Sequence, residues 1–173
     1  YIAGRVISIN NYSFNHQNKK QQMGLFSFLK NAGAKLFNKK SKATPEEIRE
    51  TNINNMKQAI ADLGFEVRDL YLDLQDDTVI VFGEVDSQEI QEKVILTVGN
   101  VEGIATVDDR LTVSKEEEEP VAQFYEVVSG DSLSKIAKKY YGDAMKYPVI
   151  FEANKPMLKD PNLIYPGQML RIP

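Results

Sequence analysis

Few side chains in this 173-residue chain could perform covalent chemistry. The chain has no cysteine, and its single histidine, His16, lies in a segment rich in Asn, Gln and Lys. Thiol catalysis, disulfides and cysteine-ligated zinc are therefore excluded, and no histidine-based triad or metal site is expected in the folded part. No serine or lysine is paired with a base at a recognisable spacing. The sequence predicts a protein that is not an enzyme.

Charge and hydropathy narrow the function classes further. The net charge of −4 provides no basic field to attract nucleic acid, although residues 30–42 are locally basic. No apolar run reaches the roughly 18 to 20 residues that a membrane span requires. The four glutamates at 116–119 could suggest a cation site, but consecutive like charges before a proline are typical of a solvated linker. We interpret residues 115–123 as an acidic linker.

Residues 124–173 have the pattern of a small domain in the order strand, helix, helix, strand. Asp131 is expected to cap the first helix, and Pro148 suits the first turn of the second. Asn154, followed by Lys-Pro, is expected to end that second helix. A Pro-Gly turn then precedes a final strand over residues 169–172.

Two sequence motifs of this domain resemble the LysM family. They are Gly-Asp-Ser-Leu-x-x-Ile-Ala from residue 130 and Ile-Tyr-Pro-Gly-Gln-x-Leu-x-Ile-Pro at the end. LysM domains bind glycans that contain N-acetylglucosamine, peptidoglycan above all, between two loops. The resemblance implies such a groove here, although an ordinary helix start and turn would use the same residue types. The implied groove residues are Gly130, Asp131, Ser132, Asn162, Leu163 and Ile164.

Residues 44–114 predict a second unit, in the order helix, strand, strand, helix, strand. Thr44, a following proline and Glu47 combine an N-cap with a capping box, and Ser87 is expected to cap the second helix. The β-branched run at 78–85 predicts a strand. The fold class expected is α+β, with helices on one face of a small three-stranded mixed sheet, linked to the C-terminal domain.

The N-terminal residues receive a separate interpretation. Residues 1–22 lack periodicity and are expected to be a disordered or non-native extension before a natural start at Met23, with no convincing signal peptide. This points to a cytoplasmic protein. Apolar residues in 23–43 predict an amphipathic helix with Gly33 as a potential break, either docked on the core or lying on a membrane surface.

The end of the second unit resembles the BON domain. The matching stretches are Val101-Glu102-Gly103-Ile104, Val107-Asp108-Asp109 and Leu111-Thr112-Val113. BON domains of envelope proteins often bind phospholipid, so a membrane-associated protein is one alternative. The whole layout over residues 23–173, however, resembles the bacterial cytoplasmic potassium-binding protein family.

That family resemblance implies a soluble, monomeric K+ sensor in which main-chain carbonyls hold one dehydrated ion and binding compacts the two domains. Carbonyls at a helix end lack internal partners and carry the negative end of the helix dipole, and neutral oxygens suit K+ better than Ca2+ or Mg2+. A glycan-binding protein is the alternative. The implied K+ ligands are the carbonyls of Leu29, Lys30, Ala32, Gly99, Val101 and Ile104.

Two further expectations concern the residues around these ligands. Gly99 and Gly103 are expected to adopt positive φ, where a β-branched residue would be strongly disfavoured. The carboxylates of Glu102, Asp108 and Asp109 are expected to be exposed, and so to contribute little to binding of an ion.

Overall fold

The computed structural model describes residues 24–30, 32–33, 44–115 and 122–173, which form two α+β units. The first unit contains β1 (Gly24–Ser27), α1 (Pro45–Asp62), β2 (Arg68–Gln75), β3 (Thr78–Val85), α2 (Gln88–Gly99) and β4 (Thr106–Val113). The second contains β5 (Gln123–Glu126), α3 (Leu133–Tyr141), a 3-10 turn (Ala144–Lys146), α4 (Tyr147–Ala153) and β6 (Met169–Ile172). The α+β prediction is confirmed. The predicted extension and most of the acidic linker lie outside the described residues.

The sheet of the first unit has four strands in the order β1, β4, β3, β2 rather than the three expected. The central pair, β3 and β4, is parallel, and the other two pairs are antiparallel. Residues of α1 and α2 pack on one face of the sheet. The core residues are Met56, Ile60, Leu72, Leu74, Val79, Val81, Val85, Val94, Ile95, Val98, Val101, Ile104, Val107 and Leu111.

The prediction of a helix at the N-terminus is wrong for residues 24–27, which form β1. Here burial alternates with period two: Leu25 is 68% exposed, whereas Phe26 packs against the core. Pairing with β4 satisfies the polar backbone of an otherwise open sheet edge. Because residues 24–27 are not helical, they cannot belong to the membrane-surface helix that was the alternative prediction. Residues 34–43 lie outside the described part. Within that part, no helix is long and apolar enough to cross a membrane.

Both helices of the first unit begin where the capping residues in the sequence predicted. The Thr44 hydroxyl accepts a hydrogen bond from the Glu47 backbone N–H, and the Glu47 carboxylate accepts one from the Thr44 N–H. The predicted capping box is therefore confirmed. Ser87 likewise accepts from the Ile90 N–H at the start of α2, as predicted.

The second unit packs α3 and α4 against the antiparallel pair of β5 and β6. The prediction that Asp131 caps α3 is wrong, because Ser132 is the N-cap and accepts from the Lys135 N–H. The Asp131 carboxylate instead accepts hydrogen bonds from the Val128 N–H and the Tyr125 hydroxyl. Asp131 lies one residue before the N-cap, and its side chain is directed back toward β5, where it closes the turn.

Asp109 in β4 is a buried carboxylate, not the exposed group that was expected. It is 3% exposed, and its oxygens accept hydrogen bonds from the Leu111 N–H and the Gln91 side-chain amide. Burial raises the pKa of Asp109 from 3.8 to about 6, because removal from water disfavours the charged form more than these two donors favour it.

We expect Asp109→Asn to stabilise the protein near neutral pH. A folded-state pKa above the unfolded value means that the native state binds more protons, so the contribution of Asp109 to stability falls as pH rises from about 4 to 6. The variant removes this penalty, and its free energy of unfolding should exceed that of the wild type by about 1 to 2 kcal/mol at pH 7. Urea unfolding of both proteins at pH 4 and pH 7 checks the difference. Equal differences at the two pH values would contradict it.

Candidate functional site

The segment after β1, of which residues 28–30 and 32–33 are described, runs along the turn that follows α2. The Phe28 N–H donates to the Ala105 carbonyl at 2.8 Å, and the Gly103 N–H donates to the Lys30 carbonyl at 2.6 Å. At Gly33, a Cβ atom would lie only 2.1 Å from the Asn100 carbonyl oxygen. Residues 28–30 and 32–33 therefore lie against residues 99–105, although about seventy positions separate the two segments in the sequence.

Three of the six carbonyls implied by the family resemblance already accept one hydrogen bond. The Leu29 carbonyl accepts from the Ala32 N–H at 2.9 Å, that of Lys30 from Gly103, and that of Val101 from the Ile104 N–H at 3.1 Å. Each carbonyl oxygen has two lone pairs, so one remains in each case. These bonds also hold the two segments in register.

The other three carbonyls, those of Ala32, Gly99 and Ile104, accept no backbone hydrogen bond from any residue in the described part of the chain. Gly99 is the last residue of α2, so its carbonyl belongs to the turn that has no helical partner and carries the negative end of the helix dipole. The arrangement provides oxygen donors of partial negative charge around one helix end. It can hold a cation that prefers neutral ligands.

The two glycines of this turn have different roles. Gly103 has a φ of +106°, as expected, and its N–H bonds Lys30. The expectation of positive φ at Gly99 is wrong: this residue is helical, and its Cα lies against the ring of Phe28. A Cβ there would lie 2.1 Å from Phe28 Cζ. Glycine is required at position 99 because it allows the two segments to approach closely. The sequence had suggested a different reason, namely a positive φ angle.

Two ion pairs involve charged side chains near these carbonyls. Lys30 Nζ lies 2.9 Å from a carboxylate oxygen of Asp77, and this hydrogen bond lowers the pKa of Asp77. Asp108 pairs with Arg110, and its side chain is only 19% exposed, so the expectation of an exposed carboxylate is wrong here too. Among the described residues, no group of three or more Asp, Glu, His or Cys residues could hold a metal ion.

The second unit docks directly on this turn through Asn100. The Asn100 side-chain amide donates to the Met169 carbonyl at 3.0 Å, and its oxygen accepts from the Met169 N–H at 2.8 Å. Gly167 approaches the other segment, because a Cβ at this position would lie 2.5 Å from Ala32 Cβ and 2.6 Å from Leu29 Cδ2. Both carbonyl-bearing segments therefore contact the C-terminal unit.

Two more sets of contacts extend this interface. Glu92 of α2 and Arg171 of β6 form an ion pair whose side chains are each 8% exposed. Phe26 and Phe124 meet edge to face, with ring centroids 5.7 Å apart. These interface residues were not predicted from the sequence. The available signal was Arg171, a charged residue within the otherwise apolar final strand. The apolar interface comprises Phe26, Phe28, Leu96, Phe124, Met157 and Met169.

The loops implied in glycan binding also come together, in a groove of about 360 Å³. Of the six implied residues, Gly130 and Leu163 do not line it. The carboxylate of Asp131 is already bonded to Tyr125, and burial together with this bond raises the pKa of Tyr125. The lining residues are Asp131, Ser132, Leu133, Ser134, Tyr147, Pro161, Asn162 and Ile164.

Comparison with known proteins bears on both halves of the chain. The LysM domain family matches residues 125–173, which confirms that prediction. The chain is 43% identical to the potassium binding protein Kbp of Escherichia coli O6:H1 over 152 residues, 87% of this chain and 99% of that protein. It is 38% identical over 105 residues to an uncharacterized protein of Deinococcus radiodurans, covering 56% of this chain and 41% of that protein.

A further match concerns an esterase of Mycobacterium tuberculosis, which is 48% identical over 48 residues. This stretch is 28% of the present chain but only 10% of the esterase. The BON resemblance of residues 44–114 stays a prediction, because the family match covers the C-terminal unit alone.

Glu92→Ala is expected to undock the two units. The substitution leaves the buried Arg171 guanidinium without its carboxylate, which typically costs about 3 to 5 kcal/mol unless the group returns to water. Separation of the units allows that return, so small-angle scattering should show a larger radius of gyration. The matched control is Glu152→Ala, which breaks an exposed pair with Lys155 and should leave the radius unchanged. An unchanged radius in Glu92→Ala would contradict the role of this pair in docking.

Proposed function

Because this chain belongs to the family of the potassium binding protein Kbp, we propose that it binds a potassium ion and acts as a K+ sensor. The observation that carries the proposal is the convergence of two carbonyl-bearing segments at the end of α2, where the Lys30 carbonyl meets the Gly103 N–H. The carbonyl site, as we define it, comprises the main-chain oxygens of Leu29, Lys30, Ala32, Gly99, Val101 and Ile104.

The chemistry of this donor set suits K+. A weakly hydrated monovalent ion loses its water shell at modest cost, and several neutral carbonyl dipoles can replace that shell. Divalent ions instead favour sets of carboxylates, which repay the greater cost of dehydration. The available lone pairs of the six carbonyls and the dipole of α2 support the same assignment.

We also propose that K+ binding compacts the protein. An ion that binds the docked state more tightly than the undocked state shifts the population toward docking. The carbonyl-bearing segments offer a route for such coupling, because Asn100 bonds β6 and Gly167 packs on Leu29 and Ala32. By thermodynamic reciprocity, docking then strengthens K+ binding by the same factor. The sensor would act as a monomer in the cytoplasm, where K+ is the main cation.

Glycan binding by the C-terminal unit is a second candidate. The groove of about 360 Å³ favours it, because hydroxyl and amide groups of Ser132, Ser134 and Asn162 line it and could bond sugar hydroxyls. Asp131 contributes less, since its carboxylate already accepts two hydrogen bonds. Co-sedimentation with peptidoglycan sacculi distinguishes this activity from K+ binding.

Added KCl should compact the protein, whereas NaCl at equal ionic strength should not. Coordination of K+ by both segments orders the surface on which the second unit docks. Small-angle scattering on a titration series should show the radius of gyration falling in KCl toward about 16 Å, the value for a compact chain of this length. Identical radii in the two salts, together with no binding heat for K+, would reject the sensor proposal.

Gly103→Val should weaken K+ binding by about tenfold or more, because a β-branched residue at positive φ costs about 1 to 3 kcal/mol and would reorient the neighbouring carbonyls. Gly64→Val is the matched control: Gly64 also has positive φ, at +77°, but follows α1 in open space. It should lower stability and leave K+ affinity unchanged. Glu102→Gln tests carboxylate coordination and should change affinity by less than about threefold. Calorimetry that shows the reverse ranking would exclude the carbonyl site.

A further inference from the structure

We propose that Asp77, in the turn between β2 and β3, is a positioning residue that holds the two segments of the carbonyl site in place. This inference rests on the proposed K+ binding. Asp77 supplies no ligand to the ion in this proposal. It acts through Lys30 on one segment and through the backbone after Ile104 on the other.

The backbone of Asp77 anchors the second segment. Its carbonyl oxygen accepts hydrogen bonds from the Ala105 N–H at 2.8 Å and the Thr106 N–H at 3.2 Å. These bonds hold the chain where it leaves the carbonyl of Ile104 and enters β4. The Ala105 carbonyl in turn accepts from the Phe28 N–H, so the same residue links the turn to the first segment.

The side chain of Asp77 anchors the first segment. Its carboxylate accepts from Lys30 Nζ at 2.9 Å, and the Lys30 carbonyl accepts from Gly103 at 2.6 Å. Lys30 is thus held at both ends, by Asp77 through its side chain and by the turn after α2 through its backbone. This salt bridge to the turn between β2 and β3 adds to the backbone hydrogen bonds and packing contacts that hold the segment.

A purely electrostatic effect of Lys30 predicts the opposite change in K+ affinity from that predicted by a positioning role. A free ammonium group near a cation site repels the ion, so removing the Lys30 charge would strengthen K+ binding if only the electric field mattered. If the ion pair positions the carbonyls, the same removal weakens binding. The side chains of Lys30 and Asp77 are 54% and 35% exposed, so the field effect is screened and the positioning effect is moderate.

The test uses the full chain and measures K+ affinity by calorimetry for Lys30→Met, Asp77→Asn and the double variant. Each single variant should weaken K+ binding by about two- to fivefold, the range for one partly exposed ion pair. The double variant should be no weaker than either single variant, because all three break the same contact. Every backbone carbonyl is retained in these proteins.

The matched control for Asp77→Asn is Asp76→Asn. Asp76 is the preceding residue in the same turn and carries the same charge, but it makes no side-chain hydrogen bond or ion pair with another described residue. Its variant should bind K+ with less than about twofold change, since only a screened charge is removed. Thermal unfolding of all variants without K+ measures any loss of fold stability.

The outcomes separate this inference from the proposed function. Absence of K+ binding in the wild type rejects both the function and the inference. Binding by the wild type with equal or tighter binding by Lys30→Met overturns the positioning role alone. Equal losses in Asp76→Asn and Asp77→Asn also overturn it, because they indicate a simple charge effect. Additive losses in the double variant overturn it as well, because they show that Lys30 and Asp77 act independently.

Discussion

The architecture depends on one reciprocal pair of hydrogen bonds, between the side-chain amide of Asn100 and the backbone of Met169. An amide side chain offers one donor and one acceptor, so Asn100 pairs with β6 as a neighbouring strand residue would. Met169 is buried, and its N–H and carbonyl would be costly to leave without partners. This contact connects the end of α2 to the C-terminal unit at the carbonyl site itself.

The rest of the interface mixes a small apolar cluster with a buried ion pair. Glu92 and Arg171 lose hydration when the units dock, so their attraction adds little net stability compared with apolar residues of the same size. Such a pair specifies one orientation of the two units, and water can hydrate both charged side chains when the units separate. An interface of this composition suits the proposed reversible docking, which a bound ion would favour and its release would reverse, whereas a large apolar interface would hold the units together permanently.

Predictions that depended on neighbouring residues in the chain were confirmed. The Thr44 capping box and the Ser87 cap formed as expected, and the final strand has its predicted bounds at residues 169–172. Predictions that required knowledge of a distant partner failed. Apolar residues at 25, 26, 28 and 29 fit a helix and a strand equally well over so short a window, and pairing with β4 decided between them. Asp131 is the exception among the local predictions: it was expected to cap α3, but its carboxylate accepts from Tyr125 and Val128, six and three positions earlier in the chain.

The sequence by itself determined the α+β class, the LysM motifs at the C-terminus and the absence of thiol chemistry, because composition and signals within one helical turn decide these properties. Tertiary structure alone decided that residues 28–30 and 32–33 lie on the turn after α2, that Gly99 must lack a side chain against Phe28, and that Asn100 bonds Met169 across 69 positions. Backbone carbonyls are present at every residue, so no residue type can mark a site built from them. Only folding determines which carbonyls meet and which keep a lone pair without a hydrogen bond.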